Sequence, residues 1–193
     1  MPAAAVPSSF FALPDEQRHK ADPALIADDE ARFAAIADAT ARTLARLAER
    51  LATAERTPVR GGREAAERDA EIRSLYARIG LLRRRSADLC LGSMTPADGG
   101  PTVYIGRLGV LDDDGEPLLL DWRTPAAEPF FAATVAEPRG LVSRRRYRWT
   151  LGRVTDYWDE ALTAEASGAA LDQQSAFLAG LGASRTVEMR DVL

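Results

Sequence analysis

The sequence predicts an α+β fold: a long antiparallel helical hairpin (a coiled coil), then a small antiparallel β-sheet and a short helical segment. Three observations predict it. Apolar residues recur at 3–4 spacing along two stretches separated by Gly61-Gly62. After Pro96-Ala97-Asp98-Gly99-Gly100-Pro101 the pattern changes to short apolar runs punctuated by turn residues. Alanine, arginine and glutamate abound while aromatic residues make up only 7% of the chain, a composition of long surface helices rather than one thick core.

Residues 1–22, with Pro2, Pro7 and Pro14, read as a mobile tail. Asp22-Pro23 reads as a helix start, because Asp can accept from free amides and Pro is shaped for the first helical position. The first stripe is Ile26, Phe33, Ala37, Leu44, Leu47 and Leu51, with Glu30 and Thr40 in its polar gaps. It ends at Thr57-Pro58, since the residue before proline is pushed out of helical geometry. The second stripe is Ile72, Leu75, Ile79, Leu82 and Leu89, ending near Gly92 as a carboxyl-end cap. The short link between the stripes predicts that they face each other, in an arm spanning 23–94 and about 45 Å long. Four acid-to-arginine pairs at i,i+4 are expected along it: Asp28–Arg32, Asp38–Arg42, Glu64–Arg68 and Asp69–Arg73.

A small β domain is expected over 95–160. Val103 to Leu111 reads as a strand, Asp112-Asp113-Asp114-Gly115 as a turn and Pro117 to Trp122 as the return strand. Phe130 to Val135 suggests a third strand. Leu141 to Thr150 and Gly152 to Trp158 suggest a second hairpin turning near Leu151-Gly152. Residues 161–193 read as helix and loop, with Leu171 to Leu181 the clearest helix.

The sequence offers no catalytic constellation, cofactor cradle or metal site. A phosphate-binding loop needs a glycine-rich turn followed by Lys and Ser or Thr. Lys20, the only lysine among 25 basic residues, has no such turn before it. His19 is the only histidine and stands in the expected tail without triad partners. Asp112-Asp113-Asp114 is most simply a solvated turn, and Asp28-Asp29-Glu30 acid near a helix start. Cys90 is the only cysteine, which excludes an internal disulfide and fits a reducing cytoplasm. No run approaches the roughly 18 apolar residues needed to span a bilayer, so no membrane association is expected. The net charge of −4 does not make the whole chain a nucleic-acid binder.

Two segments stand out as contact sites. One is the hairpin tip, Thr57, Pro58, Val59, Arg60, Gly61 and Gly62, because a long arm burying only its own seam is suited to probing a groove or dimerising. The other is Ser143 to Trp149, where alternation puts Arg144, Arg146 and Arg148 on one strand face and Tyr147 and Trp149 on the other. Together with Arg145, these arginines are read as contacts to nucleic acid or an acidic surface, the plain alternative being a solvated sheet face. Arg83-Arg84-Arg85 is explained by the negative end of the second helix.

Several strings resemble the start of HelD-type proteins. They are Ala21 to Ile26, Arg83 to Gly92, Tyr104-Ile105-Gly106-Arg107-Leu108-Gly109, Leu118 to Phe131 and Ser143 to Trp149. The most specific piece contains Asp121, Trp122, Arg123 and Pro125, and the resemblance is greatest to the actinobacterial HelR subgroup. Met189 to Leu193 looks like the lead-in to a motor domain.

The resemblance implies the amino-terminal part of a superfamily-one, UvrD/Rep-like ATPase that recycles stalled RNA polymerase. Its helical arm would enter the polymerase secondary channel, and the HelR subgroup is linked to rifamycin tolerance. Residues 95–160 would be the start of the first motor domain and 161–193 the approach to a nucleotide-binding core that this chain lacks. ATP and Mg are implied for the full-length family, not for these residues, whose helicase motifs are missing. A monomer that binds RNA polymerase, with DNA as a further partner, is the expectation. An arginine-rich nucleic-acid module and a homodimerising coiled coil are the alternatives.

Overall fold

A computed structural model describes residues 9–59, 61–86 and 88–163. Helix α1 spans Pro23–Arg56 and α2 spans Arg63–Arg85. A six-stranded sheet follows: β1 Cys90–Pro96, β2 Val103–Gly106, β3 Val110–Leu111, β4 Pro117–Asp121, β5 Leu141–Thr150 and β6 Arg153–Ala161. A short helix, α3 Glu128–Ala132, lies between β4 and β5. The spatial order is β3-β4-β2-β1-β5-β6, antiparallel throughout except for the parallel pair β2–β4. The α+β architecture read from the sequence is therefore the observed one.

Helix α1 begins as its first residues dictate. The Asp22 carboxylate accepts from the Ala24 amide at 2.9 Å, and Pro23 opens the first turn. It ends where Thr57 donates back to the Thr53 carbonyl before Pro58. Gly61 and Gly62 have φ of +98° and +65°, the left-handed region that glycine enters without a side-chain clash.

The first stripe divides its partners. Leu44, Leu47 and Leu51 meet Leu75, Ile79 and Leu82 across the hairpin. Phe33, expected in that seam, lies instead against the sheet, with Ile26, Ile36 and Ala39. The physical reason is length: α1 has 34 residues against 23 in α2, so its first half has no helical partner and buries itself on strands. Phe33 is packed between Phe10, Phe11, Tyr104, Tyr147 and Trp149, with ring centroids 5.1–6.3 Å away.

Alternation along the strands makes two cores. Tyr104 and Leu119 face α1, whereas Ile105 and Leu120 face α3 with Met94, Phe130, Leu141 and Leu162. Two glycines are set by close approach. A side chain at Gly92 would meet the Arg145 carbonyl and the Phe130 ring, and one at Gly106 would meet Leu119.

Other expectations are corrected. Residues from Ser9 onward do not hang free. The Phe10 amide and the Ser9 hydroxyl donate to the Glu30 carboxylate, Phe11 pairs in parallel with Val154, and a kinked 3-10 segment covers Asp15–Ala21. Glu30 thus anchors this segment rather than filling a seam gap. Cys90 to Gly92 is strand, not a helix end, because β1 is paired on both sides. Phe130 belongs to α3 rather than a strand: Pro125 and Pro129 set up helical turns there.

The four expected i,i+4 ion pairs give way to other contacts among the described residues. Arg42 reaches Asp113, Arg68 takes Asp69 and Arg32 stands over Tyr104. The helix expected over Leu171 to Leu181 lies outside the described residues. Among those described, no helix is long and apolar enough to cross a membrane.

Candidate functional site

The hairpin tip lies farthest along the arm from the sheet. Ala54 is the last buried apolar residue toward it, and polar bridges take over nearby. Tyr76 donates to Glu55 at 2.8 Å, Arg50 pairs with Glu71 at 3.0 Å and Arg68 donates to the Thr57 carbonyl at 3.2 Å. Thr57, Pro58, Gly61 and Gly62 are exposed and Val59 is half-buried, whereas Arg60 lies outside the described residues. Among the described residues, the tip is brought together by the loop alone and shares no hydrogen bond or ion pair with the arginine strand or the Asp-Trp-Arg segment.

The root of the arm is fixed by a polar network inside the core. Asp29 of α1 is buried. Its Oδ1 accepts from the Tyr104 hydroxyl at 2.8 Å and the Tyr147 hydroxyl at 2.7 Å, and its Oδ2 accepts from Arg145 at 2.7 Å. Arg145 also donates to the Leu25 carbonyl and, bidentately, to Asp159. One guanidinium thus ties α1, β5 and β6 together. Burial pushes both tyrosine hydroxyls well above their ordinary range, and the Asp29 charge adds to the shift. Burial disfavours charge on Arg145, but hydrogen bonds and charge from Asp159 and Asp29 outweigh it and hold the guanidinium protonated.

Sequence reasoning missed Asp29, grouping it with acid near a helix start. A signal was present, because Ile26, Asp29, Phe33 and Ile36 run at 3–4 spacing and put the carboxylate on the apolar face.

The Asp-Trp-Arg segment is a brace at the end of β4. Arg123 folds back onto Asp121 with bonds of 2.9 and 2.6 Å, and its own amide donates to the same carboxylate. The Arg123 bond holds Asp121 down to about 2. The Trp122 amide donates to the Gly106 carbonyl, prolonging the parallel pairing, and Pro125 starts the turn before α3. Trp122 and Phe131 stay half exposed, edge to face at 6.3 Å, and line an open cleft with Pro125 and Ala132. Arg107 pairs with Asp88 at 3.4 Å, joining β2 to the end of the arm.

The arginine strand shows the expected alternation, but most of its charge is used internally. Arg144 pairs with Glu160 and donates to the Phe130 carbonyl, and Arg146 reaches Glu160 at 3.1 Å. Arg145 is spent on Asp29 and Asp159. Arg148 lies over the Trp158 ring at 4.8 Å. Lys20 donates to Asp156 and to the Tyr157 carbonyl, both at 2.8 Å, so the lone ammonium is committed to the fold and does not fit a nucleotide phosphate. Among the described residues no group of His, Cys, Asp or Glu is arranged to hold a metal ion.

No curated protein matches the chain. A family model described as "DNA helicase IV HelD, N-terminal domain" matches residues 26–175. That span takes in the arm, the Asp29 network, the Asp-Trp-Arg brace and the arginine strand. The chain belongs to the HelD N-terminal domain family.

Proposed function

We propose that this chain is the RNA polymerase-engaging module of a HelD-type ATPase of the HelR subgroup, with the α1–α2 hairpin as the engaging arm. The observation that carries the reading is an arm whose outer part buries little beyond its own seam while its root is locked to the sheet through Asp29. A rigid root transmits a force or position between tip and body, which a merely structural hairpin has no need to do. The tip, Thr57 to Gly62, enters the polymerase secondary channel. ATP and Mg serve a motor core outside these residues, since Lys20 is already bonded to Asp156 and the chain lacks a phosphate-binding loop. In this reading the assembly releases stalled polymerase and contributes to rifamycin tolerance, and the chain acts as a monomer in the cytoplasm.

The test is retention of the full chain on purified cognate core RNA polymerase. Retention lost on replacing Thr57 to Gly62 with an unrelated six-residue loop is the expected result. No retention, or retention indifferent to the new loop, would overturn the reading.

A further inference from the structure

Helix α2 is electrically two helices. Its first half carries Glu64, Glu67, Asp69 and Glu71 among its arginines. From Ile72 to Ser86 there is no acid, yet Arg73, Arg78, Arg83, Arg84 and Arg85 are all present and exposed. Among the described residues none of these five guanidiniums has an acidic partner, in contrast to Arg144, Arg145 and Arg146 on β5.

The helical repeat arranges them. Arg73 and Arg84 are eleven residues apart, three turns, and so stand in one row about 16 Å long. Arg78 and Arg85 are seven apart, two turns, in a second row about 10 Å long. Between the rows lie Ser74, Ala77 and Leu81, while Leu75, Ile79 and Leu82 face α1. The Arg84 guanidinium lies back over Gly80, 3.3 Å from where a Cβ would stand.

The helix macrodipole accounts for Arg83, Arg84 and Arg85, but its effect fades within the last turn and does not reach Arg78 or Arg73.

We propose that this face of α2, on the sheet-proximal part of the arm, is a binding site for the sugar-phosphate backbone of a nucleic acid. The partner class follows from the composition of the face. Protein interfaces place apolar and aromatic anchors at their centre and deplete charge there. Here Leu81 is the one large apolar side chain between the rows, its neighbours Ser74 and Ala77 are small, and four arginines without an acid partner among the described residues flank them. Nucleic-acid interfaces have the inverse, strongly cationic make-up, and arginine suits phosphate through its fork of donors. No side chain is placed to read base edges, so recognition is independent of sequence. The site goes beyond the polymerase reading and does not rest on it.

The test measures fluorescence anisotropy of a labelled 24-base-pair DNA duplex and a labelled 24-nucleotide single-stranded RNA with the full chain. Polyglutamate serves as an acidic-peptide competitor. Four to five phosphate contacts to duplex DNA predict a log–log salt slope near −4, and hence about a 250-fold loss of affinity between 50 and 200 mM salt.

The variant Arg73→Gln/Arg78→Gln/Arg84→Gln/Arg85→Gln should bind at least about tenfold more weakly at 50 mM salt and with a shallower slope. The matching Arg→Lys variant should retain binding, since a point charge still meets phosphate. An unchanged thermal midpoint in both variants confirms that they are folded. Absence of binding to either nucleic acid at 50 mM salt would overturn the proposal. So would affinity unchanged in the glutamine variant, or polyglutamate displacing both nucleic acids at equal charge.

Discussion

At Asp29 a carboxylate occupies an apolar phase of α1, and its two oxygens are filled by two phenols and a guanidinium. Each partner comes from the sheet, so the cost of burying the charge is offset only when helix and sheet are docked. Asp29→Ala strands the Tyr104 hydroxyl, leaves Tyr147 only its 3.3 Å bond with Ser93 and removes one acid from Arg145. We expect a loss of about 3 kcal/mol in stability, measured by urea unfolding.

Asp121 gives a pH-dependent counterpart. Its folded value is held at about 2 by the Arg123 bond, below the roughly 3.9 of an unfolded aspartate. The brace therefore contributes its full stability above about pH 4 and loses it as pH falls toward 2. Carboxyl-carbon NMR should show Asp121 titrating near pH 2 in the parent chain and near the ordinary aspartate range in Arg123→Ala.

The elements differ in how plainly the sequence announced them. The start of α1 at Asp22-Pro23 and its stop at Thr57-Pro58 were legible because capping and proline geometry are local. The β5–β6 hairpin was legible from alternation and from Leu151-Gly152 at its turn, where both residues have positive φ. What was not legible was the partner of each apolar residue. Phe33 and Leu47 have the same helical phase, yet one meets five aromatic rings and the other meets α2. Periodicity tells which side is buried and is silent on what covers it. The charges of β5 were likewise visible, but not their neutralisation, because Asp159 and Glu160 come opposite only through the strand register.

The divided seam has a consequence for the arm. Leu75 belongs to a small cluster separate from the sheet core. Leu75→Ala should cost about 2–4 kcal/mol within the arm. Hydrogen exchange should speed up in α2 and the outer half of α1, with β1 and β5 amides unaffected. Equal loss of protection in the sheet would show the two cores to be one cooperative unit.

Across the molecule, the segment from Ser9 to Leu13 closes the structure. It covers Phe33, accepts the anchorage of Glu30 and lies along the outer edge of β6, where the Val154 amide donates to the Phe10 carbonyl and the Ala12 amide to the Val154 carbonyl. Removing residues 1–13 should lower stability by about 3–5 kcal/mol through lost phenylalanine burial. It should also free the β6 edge, and sedimentation of the shortened chain should show self-association that rises with concentration.

The same pairing imposes a timetable on biosynthesis. Phe11 leaves the ribosome 143 residues ahead of its strand partner Val154, roughly seven to thirty seconds at ordinary translation rates. Throughout that interval Phe10 and Phe11 can reach Phe33 and Glu30 of the emerging helix but have no β6 edge to lie along. The domain therefore cannot complete itself co-translationally from its beginning, and a holding chaperone that shields Phe10 and Phe11 would raise the yield of correctly closed molecules.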